Sequence, residues 1–312
     1  MQETRREILD ELATGPVPGP VLAERLGVSR AAVWKHVEAL REDGFEIGGG
    51  EDGYELASVP EYGGSAVEFG LDAPVAVEYH DTIASTNSRA RERAEAGDTG
   101  FVILADEQTG GRGRRGRGWN SPSGGVWMSV VLSPTLPPAR VPLLTFAAAV
   151  AVAEAAANRG VEAGIKWPND VVVSGEGERG GRKLAGVLTE MAGEAGRVFW
   201  VIVGVGINAN VDPDDLPPGA TSLQAAVDPV DRRSLVQEVL DRFWAFVDRP
   251  DAILPAWSEH AITIDQWVRI ETARETFEGQ AVGVTDTGAL RVATDAGERT
   301  VHAGDCEHLR PA

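Results

Sequence analysis

Hydrophobic and polar positions change period along the chain, and the changes divide it into three regions. In the first, Ile8, Leu9 and Leu12 share a helical face, "LAERLGVS" supplies Leu22, Leu26 and Val28, and "SRAAVWKHVEALREDG" sets Val33, Val37 and Leu40 at helical spacing. Ser29 precedes the last of these helices as an N-cap, Gly44 stops it, and a tight turn through Gly27 joins it to the helix before. "FEIGGGEDGYEL" then reads as two short strands around a glycine-rich turn. The pattern predicts a winged helix-turn-helix over residues 1–60, closed by the punctuated connection "ASVPEYGGS".

The second region mixes both periods. "APVAVEYH" and "GFVILADEQ" read as buried strands flanking a helix through "STNSRARERAEAG". A strand "GVWMSVVLSP", an alanine-rich helix from about Val141 to Asn158, strands near "GIKWPND", "RKLAGVLTEM" and "RVFWVIVGVGINA", and a helix through "DRRSLVQEVLDRFWAFV" complete it. This predicts an α+β domain over about 63–260, a mixed sheet with helices. From about Ile264, short strands separated by "DTGA" and "DAGE" predict a small β-barrel over 263–312.

Charge and cysteine content narrow the possibilities. The net charge is -19, and of 29 basic residues only Lys35, Lys166 and Lys183 are lysines. Such an acidic surface opposes nonspecific nucleic-acid binding in dilute salt and suits a cytoplasm where concentrated salt screens self-repulsion. A single cysteine, Cys306, excludes an internal disulfide framework and cannot by itself form a cysteine-based metal site. The polar opening "MQETRREILD" has no export-signal pattern, and the apolar run "LLTFAAAVAVAEAAA" carries a glutamate and lacks membrane-like flanks, so a cytoplasmic protein without a membrane span is expected. In the first region Ser29, Arg30, Lys35 and His36 are the candidate DNA-facing residues. Against them, residues 1–58 hold six lysines and arginines and twelve acids, which keeps a three-helix interaction module as the alternative.

Chemistry concentrates in a few islands. "GGRGRRGRGW", residues 110–119, holds four arginines and five glycines: forked donors for phosphate or carboxylate on a backbone that permits close approach. Its spacing is neither a Walker loop nor a dinucleotide fingerprint. An RGG-like nucleic-acid tract and a merely solvated loop are the rivals, and mutual repulsion of the arginines predicts ordering when a polyanion arrives. "KWPND" places Lys166, Asn169 and Asp170 at a stiff strand end, and "GRKLAGVLTE" leads from Lys183 to the small residues Ala185 and Gly186. Two of three lysines fall in these islands, where a compact ammonium is suited to bridging carboxylate and phosphate. In "GVGINAN", Asn208 and Asn210 either ligate Mg2+-phosphate or cap a turn; "STN", residues 85–87, either caps a helix or presents polar groups to a neutral ligand.

In this order, and behind a winged helix, "STN", "DEQTGGRGRRGRGW", "KWPND", "GRKLAGVLTE" and "GVGINAN" resemble the biotin protein ligases of the biotin operon repressor type over nearly the whole chain. The resemblance implies a class II synthetase-like central domain, an SH3-like C-terminal barrel, and two steps: biotin and ATP give biotinyl-5'-AMP, and a lysine of a biotin carboxyl carrier protein then takes the biotinyl group. It implies that Ser85, Thr86, Asn87 and Gln108 hold biotin's ring and ureido group, with Gly111, Arg112, Gly113, Arg114 and Gly186 also at biotin. Lys183 bridges the biotin carboxylate and the α-phosphate, making Lys183, Arg114 and Asp170 the catalytic set. Arg114, Arg115, Arg117, Lys166, Asn169, Asn208 and Arg310 fall on the ATP side, and Asp170 and Asn208 on Mg2+. Further implications are operator DNA as a partner, repression, and a homodimer when the adenylate is bound. Gly118 departs from the family, where lysine often precedes the tryptophan. A lipoate-type ligase and a biotin-sensing regulator without ligase activity are the alternatives.

Overall fold

The computed structural model describes residues 1–50, 52–174, 180–194 and 196–309. The first region folds as helices α1 (Glu3–Ala13), α2 (Gly19–Arg25) and α3 (Arg30–Glu42), followed by the antiparallel pair β1 (Glu46–Gly50) and β2 (Gly53–Ser58). Ile8, Leu9, Leu12, Leu22, Val33, Val37 and Leu40 close its core, as the helical spacing required. Ser29 caps α3 by accepting from the Ala32 amide at 3.1 Å.

The central region contains α4 (Gly64–Glu68), β3 (Ala76–Ile83), α5 (Thr86–Glu95), β4 (Phe101–Gln108), β5 (Val126–Leu132), α6 (Leu143–Ala157), β6 (Ala163–Lys166), β7 (Asp170–Val173), β8 (Arg182–Glu194), β9 (Arg197–Ile207), α7 (Arg232–Asp248) and α8 (Ile253–His260). Its seven strands form one sheet in the order β3-β4-β5-β9-β8-β7-β6. Only β3 and β4 are parallel, because α5 carries the chain back between them; the other neighbours are antiparallel. Strand alternation assigns the two faces. Val102, Leu104, Val130, Val201 and Val203 join the core beneath α6, whereas Phe101, Ile103, Val131 and Ile202 pack with Ala90 and Ala94 of α5. The apolar stretch Pro138–Ala157 has the length and composition to cross a membrane. In the fold most of its residues are buried between the sheet, α7 and α8, which accounts for apolar residues all round the helix.

The tail is a five-stranded antiparallel sheet of β10 (Trp267–Glu271), β11 (Thr276–Val284), β12 (Leu290–Thr294), β13 (Gly297–Val301) and β14 (Asp305–His308), with β13 and β14 at its edges. Val268, Ile270, Ala281, Leu290 and Val292 continue the central core, so the tail packs on the central region without an intervening polar layer. The winged helix is joined more sparingly. Phe45 meets Phe69 edge-on at 6.2 Å, and in the linker the ring of Tyr62 lies 4.1 Å beneath the guanidinium of Arg232, which is itself held by Asp106 at 2.5 Å.

Two expected results follow from the fold. Salt bridges such as Arg89–Glu78, Arg291–Glu298 and Arg269–Glu278 leave the large excess of acid uncompensated. Raising KCl from about 0.1 M to about 1 M shortens the Debye length from roughly 10 Å to roughly 3 Å. The melting temperature is therefore expected to rise with salt, and a fall on the same titration overturns the reading. Second, His308 is buried, with Nε2 3.1 Å from Thr263 Oγ1. That hydroxyl accepts from the Trp167 amide at 2.9 Å, so its proton is available to a neutral imidazole. Burial, and then the charge of Lys166, push the His308 pKa down to about 4. Because the unfolded chain binds this proton more tightly, the contribution is intact above about pH 6.5 and is lost as pH falls towards 4, in total about 3 kcal/mol. Unfolding of His308→Gln is expected to lose most of its pH dependence in that window.

Candidate active site

Strand β9 supplies the floor of the site. On its α5 side the residues run Trp200, Ile202, Gly204, Gly206: the large pair lies under the apolar stripe of α5, and the glycines lie beyond its N-terminus, where the sheet is left open. A Cβ on Gly204 would overlap the Asn87 side-chain amide, and one on Gly206 would stand 2.7 Å from Trp119 Nε1. The bare sheet therefore admits two side chains from neighbouring segments, and a cavity of about 610 Å3 opens above them.

The first polar cluster forms where α5 begins. Ser85 is its N-cap, accepting from the Ser88 amide at 3.4 Å. Gln108, at the end of β4, accepts from the Thr86 amide at 2.8 Å and the Thr86 hydroxyl at 3.0 Å, and donates to Ser121 at 2.9 Å. Ser129, buried on β5, donates to Asn87 Oδ1 at 2.6 Å and meets the Thr86 hydroxyl at 2.8 Å; Asn87 in turn donates to Glu190 at 3.1 Å. Cap and presentation are thus combined: Ser85 serves the helix, while buried Thr86 and Asn87 and half-buried Gln108 form a connected donor and acceptor surface against the cavity.

The charged cluster faces it. The β6–β7 hairpin brings Lys166, Asn169 and Asp170 to the cavity, and β8 delivers Lys183 beside them because Asp170 pairs with Gly186 in the ladder. Lys183 Nζ lies 2.6 Å from Asp170 Oδ1, an ionic contact without the alignment of a hydrogen bond, and 4.8 Å above the Trp119 ring. Trp119 Nε1 is buried with no hydrogen-bond partner among the described residues. Asn169 donates to the Val187 carbonyl at 2.8 Å and accepts from Arg114 at 3.1 Å. Burial draws the Arg114 pKa down, opposed by Asp305 and Asp170.

Most of the expected residues meet here: Ser85, Thr86, Asn87, Gln108, Arg112, Gly113, Arg114, Arg117, Lys166, Asn169, Asp170, Lys183 and Gly186 all line the cavity. Others stand apart. Gly111 is buried behind the loop, where a Cβ would meet the Trp119 carbonyl and Ser121. Arg115 turns outward to Asp305 and to the Glu271 carbonyl. Asn208, expected at nucleotide or Mg2+, is buried and donates to the Thr221 carbonyl at 2.9 Å and the Lys183 carbonyl at 3.4 Å, so it fastens a turn rather than facing the cavity. Asn210 does the same with both backbone groups of Val230. Arg310 lies outside the described residues. No group of three His, Cys, Asp or Glu side chains suited to a metal exists among the described residues, and Asp170 is already matched by Lys183, so this donor set does not fit a resident ion. Sequence reasoning missed Ser129, Ser121, the lining pair Pro217 and Pro218, and Asp305 from the tail. Alternating glycine in "VGVG" was the signal for the floor; nothing local marked the others.

On the winged helix, Arg30 and Lys35 are exposed on α3 beside the exposed Trp34. His36 is half-buried, and burial followed by the charges of Arg5 and Lys35 lowers its pKa, which works against a positive charge there.

Three family models match the chain: an HTH domain over residues 4–63, the biotin/lipoate A/B protein ligase family over 79–208, and a biotin protein ligase C terminal domain over 263–309. The bifunctional ligase/repressor BirA of Bacillus subtilis (strain 168) is 38% identical over 98% of this chain and 99% of its own length. The chain belongs to the biotin protein ligase family. A biotin--[acetyl-CoA-carboxylase] ligase of Mycobacterium tuberculosis is 34% identical over 74% of this chain and 89% of its own. Among solved structures, the biotin protein ligase from Aquifex aeolicus in complex with biotin and ATP aligns at a TM-score of 0.64, with 26% identity, over 75% of this chain and 99% of that one. For this family member, the polar wall at Thr86, Asn87 and Gln108 and the charged wall at Lys183 face each other across one cavity.

Proposed function

We propose that the protein joins biotin to ATP as biotinyl-5'-AMP and transfers the biotinyl group to a lysine of a biotin carboxyl carrier protein. The observation that carries this reading is the pairing of a neutral hydrogen-bonding wall with a cationic one in a single cavity. The ureido group of biotin offers one carbonyl and two N–H groups, which the Thr86, Asn87, Gln108 and Ser129 network complements. The ring system lies against the Trp119 face, and Gly204 and Gly206 let Asn87 and Trp119 sit down on the sheet beneath it. Biotin's carboxylate then extends towards Lys183.

In the first step a carboxylate oxygen attacks the α-phosphorus of ATP and pyrophosphate leaves. Both reactants are anions, and the Lys183 ammonium, aimed by Asp170, offsets their repulsion and the charge that grows in the transition state. Arg112 and Arg114 face the same space from the loop; Lys166 and Asn169 complete the nucleotide side. Mg2+ enters as a partner of the ATP phosphates. In the second step the carrier's lysine amine attacks the mixed-anhydride carbonyl, AMP leaves, and the amine loses a proton; Asp170, bordering the cavity, is placed to orient that amine.

The matched C-terminal domain and the biotin ligases among its relatives support biotin over lipoate. The HTH match and the exposed Arg30 and Lys35 support a second role as a repressor on operator DNA. One experiment tests the main reading: incubation with biotin, ATP and a carrier domain, followed by mass measurement of a biotinylated lysine. Binding of biotin without any modification favours the sensing regulator; modification with lipoate alone favours the lipoate ligase.

A further inference from the structure

Three of the four loop arginines converge on one carboxylate, and that carboxylate belongs to the C-terminal sheet. Asp305 Oδ2 accepts from Arg117 at 2.6 Å and from Arg115 at 3.1 Å, and Asp305 Oδ1 lies 3.9 Å from Arg114. Two neighbouring carbonyls complete the contact: Arg114 donates to Gly304 O at 2.8 Å, and Arg115 to Glu271 O at 3.0 Å. Glu271 and Asp305 are ladder partners at the adjoining ends of β10 and β14, so the three acceptors sit on one fixed patch of the tail sheet. Arg115 takes a left-handed backbone, φ 55°, which a side chain rarely adopts unless its contacts hold it there. By contrast, the Arg112 side chain, which lines the cavity, makes no ion pair or hydrogen bond among the described residues.

We propose that Asp305 is a positioning residue for adenylation, a counter-charge that engages Arg115 and Arg117, while Arg114, tied to Gly304 O and Asn169, is fixed at the cavity wall and Arg112 is left to face the substrate anions. Without it, four guanidiniums on ten residues repel one another, and the loop has no charge to order against until ATP arrives. Arg115 and Arg117 thereby anchor the loop instead of binding the triphosphate. The proposal rests on the ligase reading above.

The test uses the full-length protein and three variants, D305N, D305E and R117Q. In the ligand-free protein, trypsin cleavage after Arg115 is expected to accelerate about tenfold in D305N and R117Q, the loss of one charge-assisted contact, and to return close to the parent rate in D305E. With biotin and ATP, D305N is expected to raise the KM for ATP and the rate of biotinyl-adenylate loss by about tenfold each, with kcat at saturating ATP within about twofold. Equal cleavage rates in parent and D305N overturn the latch. A raised KM in R117Q without faster cleavage after Arg115 overturns it too, because Arg117 then serves the triphosphate directly. If the parent forms no adenylate, the ligase reading fails while the cleavage comparison still judges the latch.

Discussion

Lys183→Ala is expected to lower biotin-dependent exchange of pyrophosphate into ATP by about 100- to 1000-fold, the usual consequence of removing a preorganised donor from a developing charge. The reason lies in the position of the ammonium. It stands 2.6 Å from Asp170 and above Trp119, at the boundary between the neutral and cationic walls, where the carboxylate of one substrate must approach the phosphate of the other. Two anions meeting there without a cation face repulsion that the remaining arginines offset only from the side. Removal also leaves Asp170 as an unmatched negative charge beside the phosphates, which adds to the loss. Lys183→Arg is expected to recover little, since a planar fork does not reproduce a point charge between two oxygens. Biotin affinity should change far less than the rate, as the ureido wall is remote from the ammonium. Exchange within tenfold of the parent would remove Lys183 from the mechanism.

Gly204→Ala is expected to weaken biotin binding by roughly 100-fold, about 2.7 kcal/mol, while the KM for ATP stays within about threefold. A single methyl at this position collides with the Asn87 amide, which cannot simply swing aside: it is fixed by Ser129 at 2.6 Å and Glu190 at 3.1 Å. Displacing it breaks the chain through Ser129 and Thr86 to Gln108 and leaves buried polar atoms without partners. Titration calorimetry with biotin measures the effect directly. An unchanged dissociation constant would show that the Asn87 network does not touch the ligand.

Much of the fold was legible because burial leaves a period in the sequence. Ile8, Leu9 and Leu12, then Val33, Val37 and Leu40, announced their helices, and all are buried where the spacing placed them. The strands from "GFVILADEQ" to "GVGI" were legible for the same reason. Helices α4 and α8 were not: each buries only a few residues and is fixed by packing on neighbouring helices and strands rather than by a stripe of its own. Many of the residues that line the cavity stood out in the sequence as unusual local chemistry, the arginine loop and "KWPND" above all. The part that failed has one cause. A side chain's direction depends on what lies across from it, so Asn208 looked like a ligand yet binds the Thr221 carbonyl, and Arg115 looked like a phosphate donor yet turns to the tail.

The sequence by itself determined the order of elements, the acidic surface and the residue types available for chemistry, since these follow from composition and from periods of 3.6 and 2. The tertiary structure decided which of them share a cavity. Ser129 from β5, Gly204 from β9 and Asp305 from the far end of the chain carry no local signal, because each acts on a partner at least forty residues away: Asn87 for the first two and the arginine loop for the third. The packing of α5 across β5 and β9 brings Asn87 to Ser129 and Gly204, and the packing of the tail on the central core brings Asp305 to the loop.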